Sequence, residues 1–265
     1  MTYNLPMRLK GQVIIITGST SGIGEAMARR AVEEGARVLV HGLEQDLGEH
    51  VVEELGDSAA LHIDDLSDPK APQRLIDVTL SSFGRIDCIV NNAGWVTRST
   101  IESTSGEFFN RVMAINTRAP VLMIQAGLPH LKESAGCVLN IGSVNAYAGE
   151  PSFLDYSMSK GALMAMTCNL GDSMFREHGV RVNQINPEWV LTTGEHQVQL
   201  RDGHPADWHT KIDSYYAPSG SLIPPETIAN AAIYFMGKES YPISGSVMNL
   251  GQFPLTGRNV PKEIT

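Results

Sequence analysis

The chain has 265 residues, of which 42% are hydrophobic and 18% charged, and its net charge is −9. This length suits one large domain, and this composition is typical of a folded protein rather than a disordered one. The acidic balance, with no basic run longer than Arg29 and Arg30, argues against a nucleic-acid partner. No uncharged apolar run approaches the roughly 20 residues of a membrane span, and residues 1–10 lack the apolar core of a leader, so we expect a cytoplasmic protein.

The three cysteines, Cys88, Cys137 and Cys168, are far apart in the sequence. An odd number at such distances matches neither a disulfide framework nor a zinc motif. We therefore expect three buried, reduced thiols, as in a reducing compartment.

Predicted strands and helices alternate along the chain. Short apolar runs predict strands over 13–17, 37–41, 59–63, 86–91, 137–141, 181–185 and 246–250. Helical patterns lie between them, from residue 25, over 44–55 and 71–82, from about 105, and over 154–178 and 225–236. This alternation predicts an α/β fold, a Rossmann-type doubly wound parallel sheet with helices on both faces.

No linker divides the sequence, so we expect a single domain over 1–265. Residues 192–221 are polar, aromatic and rich in histidine, and they are too many for an ordinary connection. We call them the lid segment, because long loops of this kind commonly cover a substrate site.

A glycine-rich segment follows the first predicted strand, where residues 17–24 read Thr-Gly-Ser-Thr-Ser-Gly-Ile-Gly. Glycines at a strand-to-helix turn let the backbone approach a pyrophosphate, which the free N–H groups of the next helix can bind. The spacing is not the common G-x-G-x-x-G, and such a turn could serve only to pack a helix closely on a sheet. The strand before it and the helix after it favour dinucleotide binding.

Tyr156 and Lys160 are four residues apart, so they share one face of the predicted long helix. A neighbouring ammonium favours the phenolate, and a tyrosine whose pKa is lowered in this way can exchange protons near neutrality. Ser143 follows a predicted strand and could hydrogen-bond a substrate oxygen. A tyrosine and lysine at this spacing can also form a solvated helix face.

These segments together resemble the short-chain dehydrogenase/reductase family over nearly the whole chain. Five of them occur in the family's order: residues 17–24, Asp65 with Leu66, Asn-Asn-Ala-Gly at 91–94, Asn116, and Ser143 with Tyr156 and Lys160. The resemblance implies an NAD(P)-dependent enzyme that interconverts a secondary alcohol and a ketone by hydride transfer. It also implies a homotetramer.

By this resemblance, Tyr156 is the general acid and base, and Ser143 orients the substrate oxygen. Lys160 holds the nicotinamide ribose and lowers the pKa of the tyrosine, and Asn116 holds a water in a proton relay. Asn91 stabilises the central strand. The implied cofactor contacts are Gly18, Ser19, Ser21, Gly22, Ile23, Gly24, Gly42, Leu43, Asp65, Leu66, Asn92, Ala93, Gly94, Tyr156, Lys160, Pro187, Val190 and Thr192.

Cofactor choice depends on the end of the second strand, which reads His41-Gly42-Leu43. An acidic side chain there would hold the ribose diol of NAD, and an arginine would hold the phosphate of NADP, but this chain has neither. Glu44 could reach the ribose, or it could be a solvated residue in the first helical turn. Some 3-hydroxybutyrate dehydrogenases of the family look similar here and use NAD, so we expect NAD, with NADP as the alternative.

Two segments depart from the family pattern: Glu188 follows Pro187 where a glycine is usual, and Leu250-Gly251-Gln252 replaces Asp-Gly-Gly. A carboxylate at position 188 would favour neutral sugars or polyols over acids if it contacted the substrate, or it could turn into water. We expect a small polar alcohol or ketone as substrate, a sugar, polyol or hydroxy acid. Candidate contacts are Trp95, Asn145, Glu150, Glu188 and Trp189.

The lid segment's histidines and carboxylates match no compact metal motif, so we expect no metal; these residues are His196, His204, His209, Glu195, Asp202 and Asp207. Two other functions remain open at this stage. One is a dinucleotide-binding regulator without turnover, and the other is a dehydratase or epimerase that uses NAD transiently.

Overall fold

The computed structural model describes residues 7–147 and 149–255, and within them one sheet of seven parallel strands forms the centre of the fold. The strands are β1 (Val13–Ile16), β2 (Arg37–Gly42), β3 (Ala59–Ile63), β4 (Cys88–Asn91), β5 (Cys137–Ile141), β6 (Arg181–Pro187) and β7 (Val247–Leu250). Their spatial order is β3-β2-β1-β4-β5-β6-β7. The order reverses between β1 and β4, and sheets of this kind bind ligands beyond the carboxyl ends of the strands at that point.

Helices cover both faces of the sheet. They are α1 (Gly22–Glu33), α2 (Gln45–Leu55), α3 (Ala71–Phe83), α4 (Gly106–Met113), α5 (Ala119–Ser134), α6 (Leu154–His178), α7 (Thr193–Arg201) and α8 (Pro225–Met236). Ile14 and Ile16 belong to a core cluster shared with α1 and α8, whereas Ile15 belongs to the cluster under α3, α5 and α6. Successive strand residues face opposite sides, so burial of both faces explains the continuous apolar runs. The predicted doubly wound sheet is confirmed.

Two helices were not predicted from the sequence pattern. Helix α5 contains Pro129 in its interior, and its apolar residues lie on more than one side, so it lacks a clear helical stripe. Helix α7 lies inside the lid segment and is largely polar, and it begins after Thr192, whose hydroxyl accepts a hydrogen bond from the N–H of Glu195 at 3.0 Å. In the described part of the chain, no helix is long and apolar enough to cross a membrane.

The cysteines differ in their surroundings. Cys88 and Cys137 are buried and pair in register on β4 and β5, as expected for core thiols. Cys168 is exposed, so the prediction that all three are buried is wrong. Neighbouring positions on a helix point about 100° apart, and on α6 it is the adjacent Thr167 that faces the core.

A chain of buried polar side chains crosses the middle of the fold. The amide of Asn91 donates to Asn140 at 2.9 Å, and the amide of Asn140 donates to the hydroxyl of Thr167 at 2.8 Å. That hydroxyl lies 2.8 Å from the side-chain oxygen of Gln184, whose own amide donates to Asn186 at 2.6 Å. This series of hydrogen-bonded side chains therefore joins β4, β5, α6 and β6, and each of its members is 3% exposed or less. Buried networks of this kind specify one arrangement, because any shift leaves polar groups unpaired.

Thr167→Val tests this network, since valine keeps the shape and removes the hydroxyl. We expect the free energy of unfolding to fall by roughly 1–3 kcal/mol in denaturant titrations, because Asn140 and Gln184 then lose a buried partner. Thr79→Val is the matched control: Thr79 is equally buried, but its hydroxyl donates to Leu75 within its own helix, so little should change. Equal losses in both variants would contradict a special role for the network.

Candidate active site

The four predicted catalytic side chains lie together at the carboxyl edge of the sheet. Ser143 follows β5, Tyr156 and Lys160 lie in the first turns of α6, and Asn116 lies in a π-helical turn (Ala114–Arg118) between α4 and α5. All four are buried. Ser143 lies near enough to Tyr156 to act on the pKa of its phenol, and the Lys160 ammonium lies 5.7 Å from the centre of the tyrosine ring.

The ammonium of Lys160 is 3% exposed and donates to the carbonyl oxygen of Ile141 at 2.8 Å. Burial lowers its pKa from 10.5 to about 8. Within residues 7–147 and 149–255, Ile141 supplies its only hydrogen-bond acceptor, although an ammonium has three donors. A Cβ atom at Gly94 would come within 3.3 Å of the Lys160 nitrogen, so the glycine leaves open the space beside the ammonium.

Burial raises the pKa of Tyr156 to about 12, the neighbouring Ser143 acts to lower it, and the charge of Glu195 raises it further. The expectation that Lys160 lowers this pKa stays a prediction. Burial disfavours the charge on the phenolate and on the ammonium alike. Near neutrality the phenol is protonated, which is the form that can donate a proton.

The side chain of Asn116 is held by neighbouring backbone and side-chain groups. Its oxygen accepts from the N–H of Trp95 at 2.7 Å, and its nitrogen donates to the Trp95 carbonyl and to the hydroxyl of Ser159. The π-helical turn places this amide between the segment after β4 and α6, and such turns occur often at functional sites. The water-relay role of Asn116 stays a prediction.

The glycine-rich turn is fastened to the segment that follows β4. The hydroxyl of Thr17 accepts from the N–H groups of Asn92 and Ala93, both at 3.0 Å, and the Asn92 amide donates to the carbonyls of Thr17 and Gly18 at 2.9 Å. Gly18 has φ +63°, and a Cβ there would lie 2.9 Å from Ala93 Cα. A Cβ at Gly24 would overlap the Gly18 carbonyl. Both glycines are thus required by close backbone approach.

His41 is a structural residue of this turn that sequence analysis did not identify. Its Nδ1 accepts from the N–H of Gly18 at 3.2 Å, so its Nε2 is the donor to the carbonyl of Asp64 at 3.1 Å. Burial lowers its pKa to about 4, which keeps the ring neutral and able to accept. A histidine ending an otherwise apolar strand was the available signal. The next residue must be glycine, because a Cβ at Gly42 would overlap Thr20.

The N-terminus of α1 fits the pyrophosphate of a dinucleotide. Ser21 is the residue before the helix, but its side chain makes no capping hydrogen bond, and the first N–H groups of a helix lack partners within it. Such an end attracts anions. Thr192 lies over it, since a Cβ at Gly22 would come within 3.3 Å of the threonine side chain.

The remaining predicted cofactor residues follow the ends of β1, β2, β3 and β6 on this same edge; they are Ser19, Ile23, Leu43, Asp65, Leu66, Pro187 and Val190. Ser19 is fully buried, and its hydroxyl donates to the carbonyl of Ile16 at 2.6 Å. Leu43 is 62% exposed. The Asp65 carboxylate accepts from the N–H of Ser67 at 2.8 Å, and Leu66 is buried beside it.

Glu195 is a second residue whose position only the structure reveals. One carboxylate oxygen accepts from the indole of Trp189 and from the amide of Gln199, both at 2.8 Å. Its negative charge raises the pKa of both Tyr156 and Glu150, so the carboxylate lies close to these two side chains of the site. The sequence signal was Thr-x-x-Glu at 192–195, a pattern that begins helices.

The other candidate substrate contacts lie around the same opening. The N–H of Asn145 donates to the hydroxyl of Ser143 at 3.1 Å, and Trp95 contacts Phe108 with 5.3 Å between ring centres. Partial burial raises the pKa of Glu150. The carboxylate of Glu188 accepts from the backbone N–H of Gln252 at 2.8 Å, so its direct substrate contact stays a prediction.

Aromatic side chains of the lid segment pack with one another and with Trp189, which lies just before the segment. Trp189 and Trp208 stack with 5.6 Å between ring centres, and the indole of Trp208 donates to His196 Nδ1 at 3.0 Å. Across residues 7–147 and 149–255, no three His, Cys, Asp or Glu side chains are grouped as metal ligands. His196 and His209 of the lid segment take part in ring packing, and His196 also accepts the hydrogen bond from Trp208.

Lys160→Met should stabilise the protein measured without cofactor. A pKa of about 8 in place of 10.5 corresponds to about 3 kcal/mol of unfavourable burial at neutral pH. Subtracting about 1 kcal/mol for the hydrogen bond to Ile141, we expect a gain of about 2 kcal/mol in denaturant unfolding.

The gain should shrink as the pH rises from 8 towards 10.5. Over that range the unfolded wild-type lysine keeps its proton while the folded one loses it, so wild-type stability rises with pH. Lys132→Met, at an exposed position of α5, is the control and should change little at neutral pH or at about pH 10. A less stable Lys160→Met protein, or a gain independent of pH, would contradict the uncompensated burial of this ammonium.

Comparison with known proteins identifies the family of the chain. Residues 12–202 match the family described as short chain dehydrogenase. The chain is 32% identical to L-fucose dehydrogenase of Mus musculus over 236 residues, 88% of this chain and 85% of that protein. It is 30% identical to the NADP-dependent (R)-specific alcohol dehydrogenase of Lentilactobacillus kefiri over 238 residues, 88% of this chain and 92% of that protein.

The fold is similar to that of 3-ketoacyl-(acyl-carrier-protein) reductase from Brucella melitensis, solved in complex with NADH. The TM-score is 0.81 at 29% sequence identity, over 91% of this chain and 97% of that chain. The family predicted from the residues is thereby confirmed: the chain belongs to the short-chain dehydrogenase family and is an NAD(P)-dependent oxidoreductase.

Proposed function

We propose that this enzyme interconverts a secondary alcohol and a ketone on a small, neutral, polar substrate, with NAD as the preferred cofactor. The observation that carries the proposal is the buried phenol of Tyr156, which lies beside Ser143 and 5.7 Å from the ammonium of Lys160. A protonated phenol beside a hydroxyl and an ammonium is suited to proton transfer at a carbonyl oxygen.

In the direction of reduction, Tyr156 donates its proton to the carbonyl oxygen, and the hydroxyl of Ser143 donates a hydrogen bond to the same atom. The ammonium of Lys160 stabilises the phenolate that remains. In oxidation the phenolate takes the proton back. When bound, the nicotinamide dinucleotide supplies or accepts the hydride. The residues that would hold it are those of the α1 N-terminus, with Lys160 donating to hydroxyl groups.

The polarity of the opening supports a neutral substrate with several hydroxyl groups. The charge of Glu195 raises the pKa of both Tyr156 and Glu150, so a carboxylate lies near the phenol, and it would repel an anionic substrate. Trp189 and Trp208 form an aromatic wall beside Glu195, which suits the apolar face of a sugar or polyol. The likeness to an L-fucose dehydrogenase agrees with this substrate class.

The end of β2 supports NAD. Leu43 is exposed and apolar, and Gly42 carries no side chain, so a 2′-phosphate would meet no cation at these two positions. No carboxylate repels that phosphate there either. We therefore propose a modest preference, noting that one similar enzyme is NADP-dependent.

A homotetramer is also proposed, as an assembly through α5 and α6. Both helices expose apolar side chains away from the sheet, including Val121 on α5 and Met158 on α6. Apolar residues on neighbouring outer helix faces are typical of a surface that another subunit covers.

Tyr156→Phe tests the proposed chemistry. Without the hydroxyl, kcat should fall by at least about a hundredfold, whereas the affinity for NADH should change little. Net NADH absorbance with a panel of sugars, polyols and hydroxy acids gives the rates, and Tyr147→Phe, at an exposed tyrosine, is the control. A Tyr156→Phe enzyme with near-normal kcat would contradict the proposal. Turnover of the substrate without a net change in NADH would indicate a dehydratase or epimerase.

Leu43→Arg tests the cofactor assignment. The guanidinium can pair with a 2′-phosphate, so the ratio of kcat/KM for NADP to that for NAD should rise by about tenfold or more. Leu43→Gln gives a matched change of polarity without charge and should move the ratio far less. The proposal of NAD preference fails if the unaltered enzyme favours NADP by about tenfold, or about 1.4 kcal/mol.

A further inference from the structure

The side chain of Gln252 joins the C-terminal segment, residues 251–255 after β7, to the last residues of the lid segment. Its amide oxygen accepts from the backbone N–H of Ser219 at 3.0 Å, and its amide nitrogen donates to the backbone carbonyl of Ser221 at 2.7 Å. One side-chain amide therefore pairs with a donor and an acceptor two residues apart, as a neighbouring strand would. Both bonds depend on the length of the glutamine side chain.

The backbone of Gln252 is fixed in turn by Glu188. The N–H of Gln252 donates to a carboxylate oxygen of Glu188 at 2.8 Å, and the N–H of Glu188 donates to the carbonyl of Leu250 at 2.9 Å. A Cβ at Gly251 would overlap the carboxylate where it now lies, so a side chain at position 251 would displace it. The carboxylate of Glu188 is consequently packed against the chain just after β7.

The segment that Gln252 holds leads directly to the substrate opening. Ile223 pairs with the residues after β6: its N–H donates to the carbonyl of Trp189 at 3.2 Å, and its carbonyl accepts from the N–H of Leu191 at 2.9 Å. Trp189 carries the indole that holds Glu195. Leu222 packs with Trp208 in a small apolar cluster of the lid segment. A shift of residues 219–221 would thus be transmitted to both tryptophans.

We propose that Gln252 and Glu188 are positioning residues that hold the lid segment over the site and so set the affinity for substrate. The inference rests on the proposed function for its kinetic consequence, and its structural part stands on the four hydrogen bonds alone. Glu188 and Gln252 are also the two residues that replace family glycines, and the structure places them in contact. The two replacements are therefore linked, because the side chain of Glu188 binds the backbone of Gln252. Glu188 acts on the lid segment through Gln252.

The kinetic test compares Gln252→Ala, Glu188→Ala and the double variant. Each single change should raise the substrate KM by about fivefold or more and leave kcat and the Kd for NADH within about twofold, because only the lid is released. The double variant should be no worse than the worse single one, since the two residues act in series. Gln73→Ala, which removes an exposed amide bonded to Asp77, should leave all three constants unchanged.

Hydrogen exchange of the cofactor-free protein tests the structural part without any substrate. The amides of Ala217 and of residues 219–223 should exchange about tenfold faster or more in Gln252→Ala and in Glu188→Ala, while β5 keeps its protection. Faster exchange in both variants supports the proposal even if no substrate panel gives turnover, which would count against the proposed function instead. Unchanged exchange in either variant, or KM losses that multiply in the double variant as for a direct substrate contact of Glu188, would overturn it.

Discussion

The buried ammonium of Lys160 is the constraint around which the site is arranged. Its bond to Ile141 ties the first turns of α6 to the end of β5, and the missing side chain of Gly94 leaves space beside it. A buried cation with one acceptor is costly, and its lowered pKa expresses that cost. Hydroxyl groups of a bound ribose would supply acceptors, so the same feature that weakens the empty fold favours ligand binding.

The position of Ser143 depends on the buried polar chain in the sheet. The backbone N–H of Ser143 donates to Asn186 at 3.1 Å, and Asn186 is the end of the chain that begins at Asn91. A Cβ at Gly142 would overlap the Asn186 oxygen, so glycine precedes the serine. Positions fixed by a buried hydrogen-bond network inside a sheet are more exact than positions on a free loop, and catalysis needs this precision.

The two halves of the site are supported differently. The dinucleotide side is built from strand ends and short turns, fastened by Thr17, Asn92 and His41. The other half is the lid segment, which is held by a small apolar cluster, by the ion pair of Asp202 with Arg98 and by hydrogen bonds from Gln252. A scaffold of this kind can keep one hydride chemistry while the lid segment varies, which agrees with the different substrates named for its relatives.

The sequence by itself determined the doubly wound sheet and the shared helix face of Tyr156 and Lys160, since a strand buried on both faces must be apolar throughout and residues four apart share a helix face. The grouping of Ser143 with this pair came from the family resemblance. The weakly patterned helix α5 and the polar helix α7 could not be predicted, because neither carries an apolar stripe.

Only the tertiary structure decided what surrounds each side chain. Burial raises the pKa of Tyr156, where spacing along a helix had suggested that it would fall. The side chains of His41 and Glu188 acquire their partners from residues 23 and 64 positions away. Contacts between such distant positions leave no local pattern, and desolvation depends on everything packed around a group, so neither can be computed from neighbours in sequence.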